Sequence, residues 1–394
     1  MRLLCAAIAL AAVVAQPAAA DEKTVWRLFV ADHTAPLVTA IDAATGDTLG
    51  RLDLAAPASL YATGSKKAVY AVEGSANRVE AISTGIAIDD HGDHGDITVT
   101  APALLPTVIE GTKPVHVVEH DGHIALFFDG EGKARIVSED AWLAGSPDPV
   151  EVSSAAPHHG VAVQLGEHVL ISEPNAADPK ALPVGMQSVL AGKTVGSHPC
   201  PDLHGEAASG SLLAFACATG LLVTDLTSAE PKVEFVPYAS SLPEGKSTTL
   251  LGGVGMQYFV GNYGADRLVL IEPGAANPFR LLQLPSRRVH FAVDPARPRF
   301  VYVFTEDGYL REVDVVAGTL SRELKLTEPY SMDGEWSLPR PRIAAAGTEI
   351  AVSDPTVSVI HMIDAETFTD ARQIKVDGTP FGIVAIGGSG ETHD

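Results

Sequence analysis

Positive charge is scarce in this sequence: 27 Lys and Arg stand against 49 Asp and Glu, a formal net charge of -22. Such a chain repels phosphate backbones, which excludes nucleic acid as a partner, and it gathers cations near its surface. Long apolar runs are missing too. The one candidate, Leu3 to Val14, is too short to cross a bilayer, so no membrane insertion is expected. It follows Arg2 and precedes Ala18, Ala19 and Ala20, a secretory signal pattern with cleavage before Asp21. Residues 1–20 are therefore expected to be a signal peptide and residues 21–394 a single exported domain. Cys5 lies inside the apolar run rather than after it, which argues against a lipid anchor.

Cysteine is nearly absent. With Cys5 removed, Cys200 and Cys217 remain, and an even pair in an oxidising compartment reads as one disulfide. The rival role, two thiolate zinc ligands, suits a reducing cytosol better. Aromatics make up only 6% of the residues, and no segment keeps a helical period over three turns. Glycine and proline are plentiful instead, at 36 and 27, so turns are frequent.

What is present is repetition. A short β pattern ends in an acidic residue and a polar turn at Val38–Asp42, Leu268–Glu272, Leu310–Asp314 and Val359–Asp364, and more loosely at Leu222–Asp225. From Asp225 to Asp364 these acidic residues recur at steps of 47, 42 and 50 residues. That is the length of one four-stranded propeller blade. Units begin near residues 24, 58, 115, 157, 202, 248, 288 and 341, so an all-β propeller of eight blades is favoured, with seven also compatible. The first unit lacks its innermost strand. The tail Thr379–Ile386 has the pattern of that strand and is expected to close the ring, removing an open sheet edge.

Histidines follow the repeat. His116, His159, His204 and His290 open four units alike; the first three are spaced by 43 and 45 residues, and His290 lies 86 further on. Inner strands of a propeller line its channel, so three neighbouring blades would aim His116, His159 and His204 at one point. Three imidazoles suit zinc and leave a fourth coordination position. The bland alternative is hydrogen bonding to backbone at the channel mouth, the role assigned to isolated His33, His168, His361 and His393. His290, two blades beyond His204, is placed on the far wall.

A second candidate is the acidic stretch Asp89-Asp90-His91-Gly92-Asp93-His94-Gly95-Asp96. Two histidines and four carboxylates on a glycine-rich loop suit exchangeable capture of a divalent ion, with His91, Asp93 and His94 as ligands. A solvated turn is the plain alternative. Calcium fits poorly, because histidine is a weak calcium ligand and no bidentate glutamate follows at the needed spacing. A loop after a third strand leaves at the mouth opposite the ring, where His120 and His123 flank the Asp121-Gly122 turn. Loop and ring then form either one site, if the loop folds over, or two.

The segments Asp90-His-Gly-Asp-His-Gly-Asp96, Lys113-Pro-Val-His116-Val-Val-Glu-His-Asp-Gly122 and Phe127-Phe-Asp-Gly-Glu-Gly132 resemble the AztD family of periplasmic zinc chaperones. The resemblance runs over nearly the whole exported chain. It implies a periplasmic protein that binds zinc and hands it to the solute-binding protein of an ABC-type zinc importer, without catalysis. The loop departs from other zinc-handling proteins in having two histidines rather than a long run. Two further readings come from other classes. A metal-dependent propeller hydrolase or lactonase would need a general base beside the ion, for which Glu206 and Asp202 are the candidates. A metal-free interaction propeller is disfavoured by the histidine register.

Overall fold

The computed structural model describes residues 21–92, 95–228 and 230–392. The expected signal peptide, Asp93, His94 and His393 lie outside the described residues. Eight antiparallel sheets follow one another along the chain, each with four propeller strands. Six are built from consecutive strands, beginning for example with Pro114–His120 and Arg288–Val293, and a seventh, beginning with Ser59–Ala62, is interrupted before its fourth strand. Unit starts read from the repeat fall within five residues of these strands.

Burial follows strand position within a blade. Middle strands are sandwiched between neighbouring blades and are mostly buried and apolar, as in Ala68–Glu73, where all six residues, the terminal Glu73 included, are buried. Outer strands alternate between the blade interface and solvent, as Thr319–Lys325 does. The core is accordingly divided into wedges between blades, such as Tyr70, Phe128 and Trp142 between blades 2 and 3. Trp142 sits on the five-residue helix Glu139–Leu143, an element with no helical period to announce it.

Blade 1 closes the ring. Its inner strand is Pro380–Thr392 from the C-terminus, paired antiparallel with Asp21–Asp32 in a register that sets Leu28 opposite Ala385. Asp32 locks the seam: its carboxylate accepts the backbone N–H of Thr34, Ala35 and Thr379, each at 2.7 Å. Gly378, at φ +83°, brings the chain so close that a β-carbon would collide with Asp32. Burial alone would raise the Asp32 pKa, but these hydrogen bonds outweigh it and hold the carboxyl below its ordinary value.

One element departs from expectation. The acidic loop is not a free loop; Ile86–Asp90 and Gly95–Val99 form a β-hairpin, placing Asp89, Asp90 and Asp96 in strands. The hairpin leaves blade 2 and joins the sheet of blade 1, where Asp96 pairs in parallel with Glu391. Its base is pinned by buried Arg27, whose guanidinium donates to the carbonyls of Thr84 and Thr100. The fourth strand of blade 2 is Ala103–Glu110, beyond the insertion.

Replacing Asp32 by Ala would remove the acceptor of three part-buried backbone donors and should lower unfolding free energy by roughly 1–3 kcal/mol, read by denaturant titration. In the wild type, the carboxylate's contribution is complete above about pH 3.9, the ordinary value. It fades as pH falls through the lower value of the folded state. A stability difference between wild type and Asp32→Ala that stays constant as pH falls through this range would contradict this account.

Candidate metal centre

His116, His159 and His204 come from three adjacent blades and meet at one mouth of the channel. His116 lies in the inner strand Pro114–His120, just after a register shift that sets Pro114 opposite Phe128 and His116 opposite Phe127. Such an irregularity re-aims a side chain. His159 and His204 sit slightly earlier than expected, on the connections ahead of Ala162–Leu165 and Glu206–Ser209. Gly160 allows tight packing there, since a β-carbon would stand 2.6 Å from both His158 Nε2 and Phe127 Cζ. Gly205, at φ +92°, brings the chain against the Thr248 backbone.

The three rings face one another. Centroids are separated by 4.9 Å (His116–His159), 5.3 Å (His159–His204) and 6.4 Å (His116–His204). Each Nδ1 is turned to an acceptor on its outer side. His159 Nδ1 is 2.8 Å from Asp129 Oδ2, His204 Nδ1 is 2.7 Å from the Thr248 carbonyl, and His116 Nδ1 is 3.5 Å from Glu206 Oε1. Assigned from these partners, the neutral tautomers carry their proton on Nδ1 and direct the Nε2 lone pairs inward. Acceptors of this kind behind a histidine orient it and raise its basicity as a metal ligand.

With their protons on Nδ1, the Nε2 lone pairs of His116 and His159 face each other and favour a cation between them. His116 Nε2 and His159 Nε2 stand 3.3 Å apart. Two ligands of a tetrahedral zinc, with bonds of about 2.0–2.1 Å, are separated by about the same distance. The cavity between them is about 10 Å³ and open on one side, lined by the three histidines, Gly160, Val161, Leu203, Gly205 and Glu206. That is room for one ion or one water.

Charge tunes the rings in opposite directions. Burial pulls the His116 pKa down, but the Glu206 and Asp129 carboxylates more than offset it and raise it above the ordinary value. Burial lowers that of His204, and the neighbouring imidazoles add to the effect against the Thr248 hydrogen bond.

Other candidates are placed elsewhere. Blade strands alternate in direction, so the hairpin, which follows the third strand of blade 2, leaves at the mouth opposite the three histidines. His91 Nε2 there is 3.2 Å from Asp96 Oδ2. His120 and His123 are cross-strand partners at that same mouth. Asp202 pairs with Lys246 at 2.9 Å, and Glu206 faces His116, so the two bases considered for hydrolysis are otherwise engaged. His33 packs edge-on against Phe381, and His361 bonds Asp370 at 2.8 Å. The Nδ1 of His168 is buried without a hydrogen-bond partner among the described residues. Cys200 and Cys217 form a disulfide, buried at both ends, that closes the loop bearing His204 and Glu206.

Sequence reasoning missed the outer partners. Asp129 could have been found, since it stands in the Phe127-Phe-Asp-Gly segment. Thr248 could not, because it contributes a backbone carbonyl, which no residue type encodes.

Eight blades around a channel with a histidine cluster at its mouth place the chain among metal-binding β-propellers. No protein-family model matches the chain. The zinc chaperone AztD of Citrobacter koseri is 50% identical over 380 residues, covering 96% of this chain and 90% of that one. A crystal structure of Citrobacter koseri AztD has a TM-score of 0.92 over 94% of this chain and 100% of its own, at 50% identity. Its apo structure has a TM-score of 0.90 with the same coverage, at 49% identity. The dihydro-heme d1 dehydrogenase NirN, 12% identical with a TM-score of 0.59 over 91% of this chain and 74% of its own, shares the fold alone. The chain belongs to the AztD family, a family of zinc chaperones and not of enzymes.

Two outcomes are expected from the geometry. Asp129→Asn keeps the shape but removes the charge behind His159, and zinc affinity should fall about 10–100-fold in a competition titration. A proton on His116 competes with the metal, and its raised pKa extends that competition upward. Zinc affinity should therefore begin to weaken while pH is still above 6.5, the ordinary imidazole value, and continue downward. Affinity that is flat until well below that value would argue against His116 as a ligand.

Proposed function

We propose that this protein is an exported, periplasmic zinc chaperone that holds one zinc ion on His116, His159 and His204. It then hands the ion to the solute-binding protein of an ABC-type zinc importer. The observation that carries the reading is the meeting of three imidazoles from adjacent blades, with His116 Nε2 and His159 Nε2 3.3 Å apart and each Nδ1 turned to an oxygen. A structural role for these histidines would not require all three rings to meet. Kinship with AztD of Citrobacter koseri, named a zinc chaperone, agrees with it.

Residues 1–20 serve as the export signal in this reading. Three histidines leave a fourth coordination position, through which a ligand of the acceptor enters before a histidine must leave. His91, with Asp93 and His94 close to it in sequence, supplies a second, weaker capture point, and the hairpin's carboxylates concentrate the ion there. Lying at opposite mouths, hairpin and ring act as two sites rather than one.

His116→Ala and His159→Ala should each abolish tight zinc binding while leaving thermal unfolding of the metal-free protein nearly unchanged. Unchanged affinity in either variant would overturn the ring as the zinc site. Replacing both His91 and His94 by Ala should leave the tight site's affinity intact but slow zinc transfer to the solute-binding protein in stopped-flow mixing. Wild-type transfer rates combined with a sharp loss of affinity would make the hairpin part of the tight site instead.

A further inference from the structure

The mouth that carries the three histidines has a cationic half. Arg288 and His290 lie on the inner strand of blade 7, Arg288–Val293. Arg342 stands directly before the inner strand of blade 8, Ile343–Ala346. Inner strands start at one mouth, so these three half-buried side chains share the histidines' end of the channel. His290 joins the two blades, because its Nδ1 accepts the Ile343 N–H at 3.1 Å. The ring proton is then on Nε2, which makes that atom a donor.

Arginine without an acid is unusual in so acidic a chain. Arg27, Arg280 and Arg340 are satisfied by two or more backbone carbonyls each. Arg288 and Arg342 are not. Among the described residues neither pairs with a carboxylate; Arg288 donates once, to the Gly264 carbonyl at 3.1 Å. The Arg342 guanidinium makes no hydrogen bond to a described residue and lies 4.8 Å over the Phe381 ring. Arg288 is likewise held 5.6 Å over Phe291. Burial pushes both guanidinium groups down to about 10, and no acid restores them. Each guanidinium offers five N–H donors and no acceptor, and a desolvated charge without a partner is costly. Aromatic faces fix both forks in place and leave their donor edges unspent.

We propose that Arg288, His290 and Arg342 form an anion site in the channel that takes a small oxyanion, a carboxylate or a phosphate, through its oxygens. Planar guanidinium forks match both groups bidentately, and the His290 Nε2–H supplies a third donor. The site is separate in composition from the three histidines and takes no part in holding zinc.

The test uses the exported chain stripped of zinc with a chelator and dialysed, so its outcome is independent of the zinc reading. Thermal unfolding is followed against sodium phosphate and, separately, sodium citrate, with sodium chloride at matched ionic strength as the reference. Excluded anions stabilise any protein without saturating, so the reading is the saturable part of the shift. We expect that part with at least one oxyanion, and a tenfold or greater loss of apparent affinity in Arg288→Gln and in Arg342→Gln. Saturation with citrate alone assigns a carboxylate ligand, with phosphate alone a phosphate, and with both a general oxyanion site. Arg342→Lys keeps the charge without the fork and should also weaken binding, which covers the case where a Gln variant fails to fold. Absence of a saturable shift in the wild type, or its full retention in Arg342→Lys or either Gln variant, overturns the proposal.

Discussion

Pairing of the last strand with the first is the constraint on which the remaining geometry depends. Until Pro380–Thr392 lies beside Asp21–Asp32, the eight sheets form an open arc, and the inner-strand starts do not share an axis. Direct packing of consecutive blades makes side chains from blades 3, 4 and 5 neighbours, although they are separated by 43 and 45 residues, and closure fixes the ring in which they sit. The seam is held by backbone pairing, by one buried carboxylate and by apolar packing on both sides, where Leu28 and Val30 cluster with Ile383 and Phe29 with Ile386. Asp32 spends both oxygens on the joint, one on its own turn and one on the returning chain. The polar part of the seam is directional, which fixes the register as well as the contact.

The histidine cluster inherits that rigidity and adds an electrostatic demand of its own. Orienting each Nδ1 to an oxygen leaves the Nε2 lone pairs of His116 and His159 facing each other, an arrangement that is repulsive without a positive charge between them. A proton on His116, supported by Glu206, is one way to supply it; a divalent ion is the other. The two are competitors for the same charge deficit. This fits the placing of Asp129 behind His159 and of Glu206 beside His116 at the edge of the cavity. There they strengthen the ligands without occupying the central position.

Much of this was legible before any coordinates. The 42-to-50-residue steps, the missing first strand and the tail that replaces it reported the architecture. Periodicity of that kind is imposed by blade packing itself. The histidine register was legible for the same reason: positions equivalent in the repeat are equivalent in space. The hairpin was less so. Asp, Gly and His are poor strand formers, so Asp89–Asp96 reads as a loop. What makes it a hairpin is tertiary: a buried Arg27 holding its base and a parallel contact with Glu391, almost three hundred positions away in the chain. Local propensity carries no trace of either.

Separation of the two candidate zinc elements has a consequence for how the molecule works. Had the hairpin folded over the ring, capture and release would use the same ligands, and tight binding would oppose transfer. At opposite mouths the conflict does not arise. The acidic hairpin gathers cations by field and by weak, exchangeable ligands, which need little geometric precision. The ring selects by geometry, three imidazoles held near tetrahedral spacing by partners from strands that cannot move far. Its carboxylates lie behind or beside the rings, and the cations Arg288 and Arg342 line the opposite wall of the mouth. Positive charge on that wall disfavours a second divalent ion in the mouth while leaving the first on its imidazoles. If the ring holds zinc as proposed, the arrangement limits that end to a single ion, and an acceptor would meet one defined cargo rather than a loosely held population.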